Sequence, residues 1–182
     1  MDRGIFKDLE TGRLLLRNLA QDDAAFFYRE FSDPAVSEYL FDADPPESVN
    51  EVLKWIAWYN DNNPDHNRWV IVNKETGLRM GTCGFHIWDA RNNRVEIGYD
   101  LLPEFWGKGY MREALQAAID FAFTIMNIHR IYAVTYTGNH RSIKVLEKLG
   151  FHKEGLLRDQ FLFRGKYYDH FQYSLLKEES GI

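Results

Sequence analysis

The chain has 182 residues, of which 45% are hydrophobic and 27% charged. That is ordinary for a folded globular domain, and long enough to bury roughly 70% of the unfolded surface without a disulfide or metal. A net charge of −5 argues against a nucleic-acid backbone as partner, since phosphate binding needs clustered Lys and Arg.

A single cysteine, Cys83, rules out an intrachain disulfide and makes a reducing, cytoplasmic setting the default. The stretch Met1–Leu19 is charged throughout and has no apolar h-region, so no signal peptide is expected. No run approaches 18 apolar residues, so no membrane span is expected.

In chain order, TGRLLLRNL (11–19) reads as a strand, and AQDDAAFFYREFSD as a helix with Asp22 or Asp23 near its start. DPAVSEYL reads as a short helix beginning near Pro34, and FDADPPES as an extended loop. Ser48 caps the next helix, and Glu51 three residues on completes a capping box. That helix has Val52, Trp55, Ile56 and Tyr59 at helical spacing, and Asn62-Asn63-Pro64 ends it. Trp69–Val72 and Met80–Trp88 form a hairpin around KETG, and Val95–Leu102 is a strand that stops at Pro103.

A helix follows the glycines at 107 and 109 and runs to about Met126, with Met111, Leu115, Ala118, Ala122 and Ile125 as its apolar face. Ile131–Thr137 is an apolar run suited to a central strand. NHRSIKVLEKLGF is a short helix stopped by Gly150, and the tail is a hairpin turning near Arg164-Gly165-Lys166. Interleaved strands and helices give an α/β (or α+β) class with a mixed sheet, in one domain over 1–182.

The stretch EFWGKGYMREAL places glycines where a capping Ser or Asp is usual. In strand–turn–helix order, the first helical turn offers backbone N–H groups with no intrahelical partner, at the positive end of the helix dipole. An anion sits well there, and glycine lets it reach the backbone. Lys108 and Arg112 add charge. A plain structural turn is the competing reading. The stretch is neither a P-loop nor the dinucleotide fingerprint, because Arg112 stands where the latter needs its third glycine.

VEIGYDLLPEFWGKGYMREAL, followed by NHRSIKVLEKLGF, resembles the GNAT superfamily of acetyl-CoA-dependent N-acetyltransferases. Within it the chain resembles the RimJ/RimL-type ribosomal-protein alanine N-acetyltransferases, over nearly its whole length. The resemblance implies a twisted mixed sheet of about six or seven strands flanked by helices. It also implies acetyl-CoA as cosubstrate with no metal, and a monomer or homodimer. The family loop Q/R-x-x-G-x-G/A aligns with Trp106-Gly107-Lys108-Gly109-Tyr110-Met111, departing from it at Trp106 and Met111. By the resemblance, Gly107, Lys108, Gly109, Tyr110 and Met111 bind the pyrophosphate through their backbone. Leu101 and Leu102 lie beside the pantetheine and supply an oxyanion donor. Asn139 and Ser142 face the cofactor, although Asn139 is equally a helix N-cap.

Acetyl transfer to an amine needs a base for the ammonium and a donor for the leaving thiolate. Many family members place a Tyr seven residues after the Asn. Leu146 stands there, so Ser142 is the candidate donor. The resemblance points to Glu96 as the base acting through water, against the plain reading of a paired strand residue. Strand alternation puts Glu96, Gly98 and Asp100 on one face, with Gly98 leaving room for substrate. The branch also carries a catalytic Glu where this chain has Phe161, which leaves Asp159 as a rival base.

Trp55, Trp58 and Tyr59 line an acceptor groove or simply pack, and Phe41-Asp42-Ala43-Asp44 offers carboxylates to an ammonium. Six histidines show no metal-ligand spacing, and Cys83 reads as a core thiol. The expected acceptor is a protein N-terminal amine, with a small amine as rival and a non-catalytic CoA-binding module as the third reading.

Overall fold

A computed structural model describes residues 5–41, 44–60 and 65–181. Its eight-stranded sheet runs in the order β1-β2-β3-β4-β5-β6-β8-β7. The strands are β1 (Leu9–Glu10), β2 (Leu14–Asn18), β3 (Asn67–Asn73), β4 (Arg79–Asp89), β5 (Arg94–Leu101), β6 (Arg130–Tyr136), β7 (His152–Phe163) and β8 (Lys166–Leu176). The two-residue β1 is the strand that takes the sheet past the expected six or seven. Every neighbouring pair is antiparallel except β5 with β6.

Among the described residues, five α-helices flank the sheet: α1 (Ala24–Ser32), α2 (Pro34–Ser37), α3 (Val49–Asn60), α4 (Tyr110–Thr124) and α5 (His140–Lys148). Neighbouring strand residues point to opposite faces. Val70 accordingly packs with Leu19, Phe27, Val52 and Ile56 under α1 and α3. Trp69 and Ile71 belong to the larger core with Phe85, Ile97, Leu115, Ile119 and Phe123 against α4.

Local chemistry sets the helix ends. Asp33 accepts a hydrogen bond from the Ala35 N–H at 2.8 Å and starts α2 at Pro34. Ser48 Oγ accepts from the Glu51 N–H at 3.3 Å, as a capping box requires, but the Glu51 carboxylate reaches the N–H of Glu47, at 2.8 Å. The expected Asn62–Pro64 stop, like Asp42 and Ala43, lies outside the described residues. Gly150 ends α5 with φ 85°, and the Phe151 N–H closes back on Leu146 O at 3.0 Å. On α4 the expected apolar face holds at Met111, Leu115, Ala118 and Ala122, but Ile125 is 59% exposed. The helix ends at Thr124, so Met126 turns inward instead. The β6 run is not buried on both faces as its apolar sequence suggested. It alternates, because Val134 and Tyr136 face an open cleft.

Outside the lining of that cleft, Arg130 on β6 grips Glu154 on β7 with a two-pronged contact at 2.7 and 2.5 Å. Hydrogen bonds from Arg130, joined by Ser174 and Gln172, hold the Glu154 carboxyl down to about 2 against a smaller effect of burial. A carboxyl depressed in the folded state stabilises above its unfolded pKa and loses that stabilisation as pH falls through its folded pKa. The melting-temperature gap between wild type and Glu154→Gln is therefore expected to be full above about pH 5 and to close toward about pH 2. A gap that stays constant through that window would show that Glu154 does not titrate this way.

Candidate functional site

The site begins where the sheet loses a pairing. β5 and β6 are in register only at Arg94–Arg130, Val95–Ile131 and Glu96–Tyr132. Beyond Glu96 the two strands separate, while β5 stays paired with β4 to Leu101 and β6 stays paired with β8 to Tyr136. The Leu102 N–H donates to Met80 O at 2.9 Å. By the antiparallel alternation, the even-numbered residues here aim their backbone groups at β4, and Tyr99 and Leu101 aim theirs into the opening. Leu102, expected to flank the cofactor, is thus buried with its N–H committed to β4, and it does not line the cleft. Leu101 does line it.

A cleft of about 1170 Å³ passes through this opening and reaches both faces of the sheet. On the α4/α5 side, the short 3₁₀ turn Pro103–Phe105 leads into Gly107 and Gly109, with φ of 73° and 80°. Only glycine adopts such angles without strain, which is why no capping Ser or Asp stands there. The first α-helical bond runs from the Glu113 N–H to Gly109 O at 3.1 Å. It leaves Tyr110, Met111 and Arg112 as the open donors of the helix start. Gly107, Gly109, Tyr110, Met111 and Arg112 line the cleft, joined by Arg141, Lys144 and Lys148. Open N–H groups at a helix N-terminus with four cations around them fit the pyrophosphate and ribose phosphate of CoA. Lys108 does not join them: its ammonium turns back to Glu104 O at 2.9 Å, leaving only its backbone to the loop.

Two supports of this loop were not visible in the sequence. Trp106, a departure from the family loop, donates its indole N–H to Leu101 O at 2.6 Å and carries the Arg141 guanidinium 4.3 Å above its ring. Arg13, on the turn before β2, bonds Glu113 at 2.6 Å and Lys108 O at 3.1 Å and lies over the Tyr110 ring. Burial alone would raise the Glu113 carboxyl, but hydrogen bonds from Thr11 and Arg13 hold it below its ordinary value.

Asn139 and Ser142 both line the cleft. Asn139 acts as the N-cap of α5, its side chain accepting the Ser142 N–H at 3.1 Å. Ser142 Oγ lies 2.8 Å from the hydroxyl of Tyr99. Sequence reasoning gave Tyr99 no role. Its place on the face opposite Glu96, where Asn-x-x-Ser begins α5, was the available signal. Burial pushes the Tyr99 hydroxyl far up, so it keeps its proton at neutral pH.

Glu96 stands on the other face, toward α1–α3, and also lines the cleft. Burial and the Glu96 carboxylate together push the neighbouring Tyr132 hydroxyl up to about 12. Gly98 does not leave the expected free space: a Cβ there would come within 2.9 Å of His86 Nε2. That imidazole accepts from Arg68 at 3.2 Å, and burial followed by the Arg68 charge keeps it neutral, with a pKa of about 3. Arg68 also donates to Thr82 Oγ1 at 3.0 Å and pairs with Asp100. Glu30, fully buried behind them, is pushed well above the carboxylate range by burial and by Asp100.

Asp159, the rival base, sits on a bulge of β7 with φ 50° and is exposed, outside the cleft. Between Leu157 and Phe161 the pairing with β8 shifts, which breaks the alternation that would have aligned Asp159 with Phe161. Phe161 lines the cleft against His170. Cys83 is buried, its thiol pushed up to about 12 by burial, and is a core residue.

Gly109→Trp should weaken CoA binding by about 100-fold, the worth of one or two charge-assisted hydrogen bonds. The check is calorimetric titration with CoA, alongside a melting temperature to show that the exposed position still folds. Unchanged affinity would mean that the helix start does not cradle the phosphates.

Comparison with known proteins agrees with this geometry. The acetyltransferase (GNAT) domain family matches residues 13–152. An uncharacterized N-acetyltransferase p20 of Bacillus licheniformis is 43% identical, over 94% of this chain and 97% of its own. The putative ribosomal N-acetyltransferase YdaF of Bacillus subtilis is 32% identical over 79% of each. The structure of spermidine N-acetyltransferase from Vibrio cholerae in complex with CoA and spermine superposes with a TM-score of 0.85 at 26% identity, covering 94% of this chain and all of that one. The open helix start, the parted strands and these matches have one conclusion: the chain belongs to the GNAT family of acetyltransferases, which take their acetyl group from acetyl-CoA.

Proposed function

We propose that the protein acetylates a primary amine that enters from the α1–α3 face, and that this acceptor is a small molecule. The observation that carries the reading is the position of Phe41. It reaches across from α2 and packs on Tyr136, Tyr168 and His170, with ring centroids 4.8–4.9 Å apart. Phe41 lines the cleft and is only 9% exposed, so its ring packs into the acceptor half and narrows it. Two Escherichia coli and Vibrio cholerae relatives named spermidine N(1)-acetyltransferase, 27% and 28% identical, are in keeping with a small amine. A protein N-terminal amine is the second reading, favoured by the relative named as a putative ribosomal N-acetyltransferase.

In this reading the pantetheine arm lies in the opening between β5 and β6 and pairs with the backbone of Tyr99 and Leu101, as an added strand pairs with an edge. Glu96 takes the ammonium proton through water on one face of the sheet. The amine nitrogen then bonds to the thioester carbonyl carbon, and the carbon–sulfur bond breaks. The N–H groups aimed into the opening stabilise the charge that develops on the carbonyl oxygen. On the other face, Ser142 with the protonated Tyr99 hydroxyl donates a hydrogen bond to the departing sulfur. The second proton lost by the attacking nitrogen passes to the departing sulfur to give the CoA thiol. The one proton released per turnover is therefore the one Glu96 took, and acid and base lie on opposite faces of the sheet.

Two measurements test the proposal. Product mass spectrometry after incubation with acetyl-CoA and a pooled panel of N-terminal peptides, polyamines and monoamines should show acetylated small amines. Acetylated peptides alone would establish the second reading. Glu96→Gln should lower kcat by about 100-fold and leave CoA affinity within about twofold, whereas a non-catalytic CoA-binding module would show no turnover for the substitution to reduce.

A further inference from the structure

The two halves of the cleft differ in chemistry. The cofactor half carries Arg112, Arg141, Lys144 and Lys148. The acceptor half is walled by Phe31, Phe41, Trp55, Trp58, Tyr136 and Phe161. Its floor holds the guanidinium of Arg68, whose side chain is 5% exposed and bound to Thr82, His86 and Asp100. Among the described residues, the carboxylates that line this half are Asp44, Glu96 and Asp100, and Asp100 is the partner of Arg68.

We infer that the acceptor is a monoamine with an aromatic or otherwise apolar body, and that polyamines are poor acceptors. This rests on the acetyl-transfer reading above. A polyamine would bring several ammonium groups into the chamber, and each must be desolvated and matched by an anion. Here Asp100 is already paired with the Arg68 guanidinium in the floor, so it does not serve as a counter-ion for them. An aromatic body gains from the same walls, since apolar burial and edge-to-face contacts with rings both favour it. Ring faces also attract cations, but a cation–π contact offsets only part of the cost of desolvating an ammonium group. The inference separates this chain from the Vibrio cholerae neighbour solved with spermine, which shares its fold at 26% identity.

The test compares kcat/KM for 2-phenylethylamine and spermidine at saturating acetyl-CoA, read by product mass. 2-Phenylethylamine should exceed spermidine by at least tenfold, and a smaller ratio overturns the inference. Trp58 is 49% exposed, and a melting temperature checks that Trp58→Ala stays folded. Trp58→Ala should raise KM for 2-phenylethylamine at least fivefold while CoA affinity stays within twofold, and an unchanged KM also overturns the inference. If both probes fail while another amine is acetylated, this inference falls and acetyl transfer stands. If no amine is acetylated while CoA binds, both fall.

Discussion

The parting of β5 from β6 is the constraint on which the rest of the molecule depends. Backbone N–H and C=O groups away from water must find partners. A gap in the middle of a sheet is therefore costly unless something fills it. Along the opening each strand keeps its ladder on the outer side, β5 with β4 from Glu96 to Leu101 and β6 with β8 to Tyr136. Pairing between β5 and β6 stops after Glu96 and Tyr132, so the opening behaves as two facing internal edges. At its wide end the Trp106 indole takes up Leu101 O. In the proposed function the pantetheine amides complete the remainder, which would make the gap a binding site that spans the sheet.

Spanning the sheet is what lets one cleft host two kinds of chemistry. Successive residues of β5 point to opposite faces, so Glu96 is presented to α1–α3 and Tyr99 to α5. Tyr99 meets Ser142 because Asn139 caps α5 and fixes its first turn against the same strand. Arg13, held by Glu113, ties the phosphate loop to the start of β2. The loop is thus braced by the core sheet rather than only by its own helix.

The charges beneath the acceptor chamber form one linked group. Arg68 is buried among Asp100, Thr82 and His86, and Glu30 lies fully buried behind them. Such groups rarely add net stability, but removing one member strands the others. In this protein they fix the floor of a chamber whose walls are aromatic, and the neutral His86 ring fills the space beside Gly98. The chamber's shape therefore depends on a polar network outside the transfer chemistry.

The sequence by itself determined whatever is written within a few residues. The glycine turn opening α4, the Asn139 cap, the Gly150 stop and the hairpins at 74–77 and 164–166 all rest on local backbone preferences. Alternation along β5 likewise sets Glu96 and Tyr99 on opposite faces through the strand's own period of two. The tertiary structure decided what depends on partners distant in sequence. Arg13 meets Glu113 across 100 residues, and Tyr99 meets Ser142 across 43. The β7 bulge removes Asp159 from the site, and the turn of Met126 into the core leaves Ile125 outside it. Local propensity gives the direction of a side chain along its own element. Which side chain waits opposite is set by the packing of elements whose separation no short-range preference encodes.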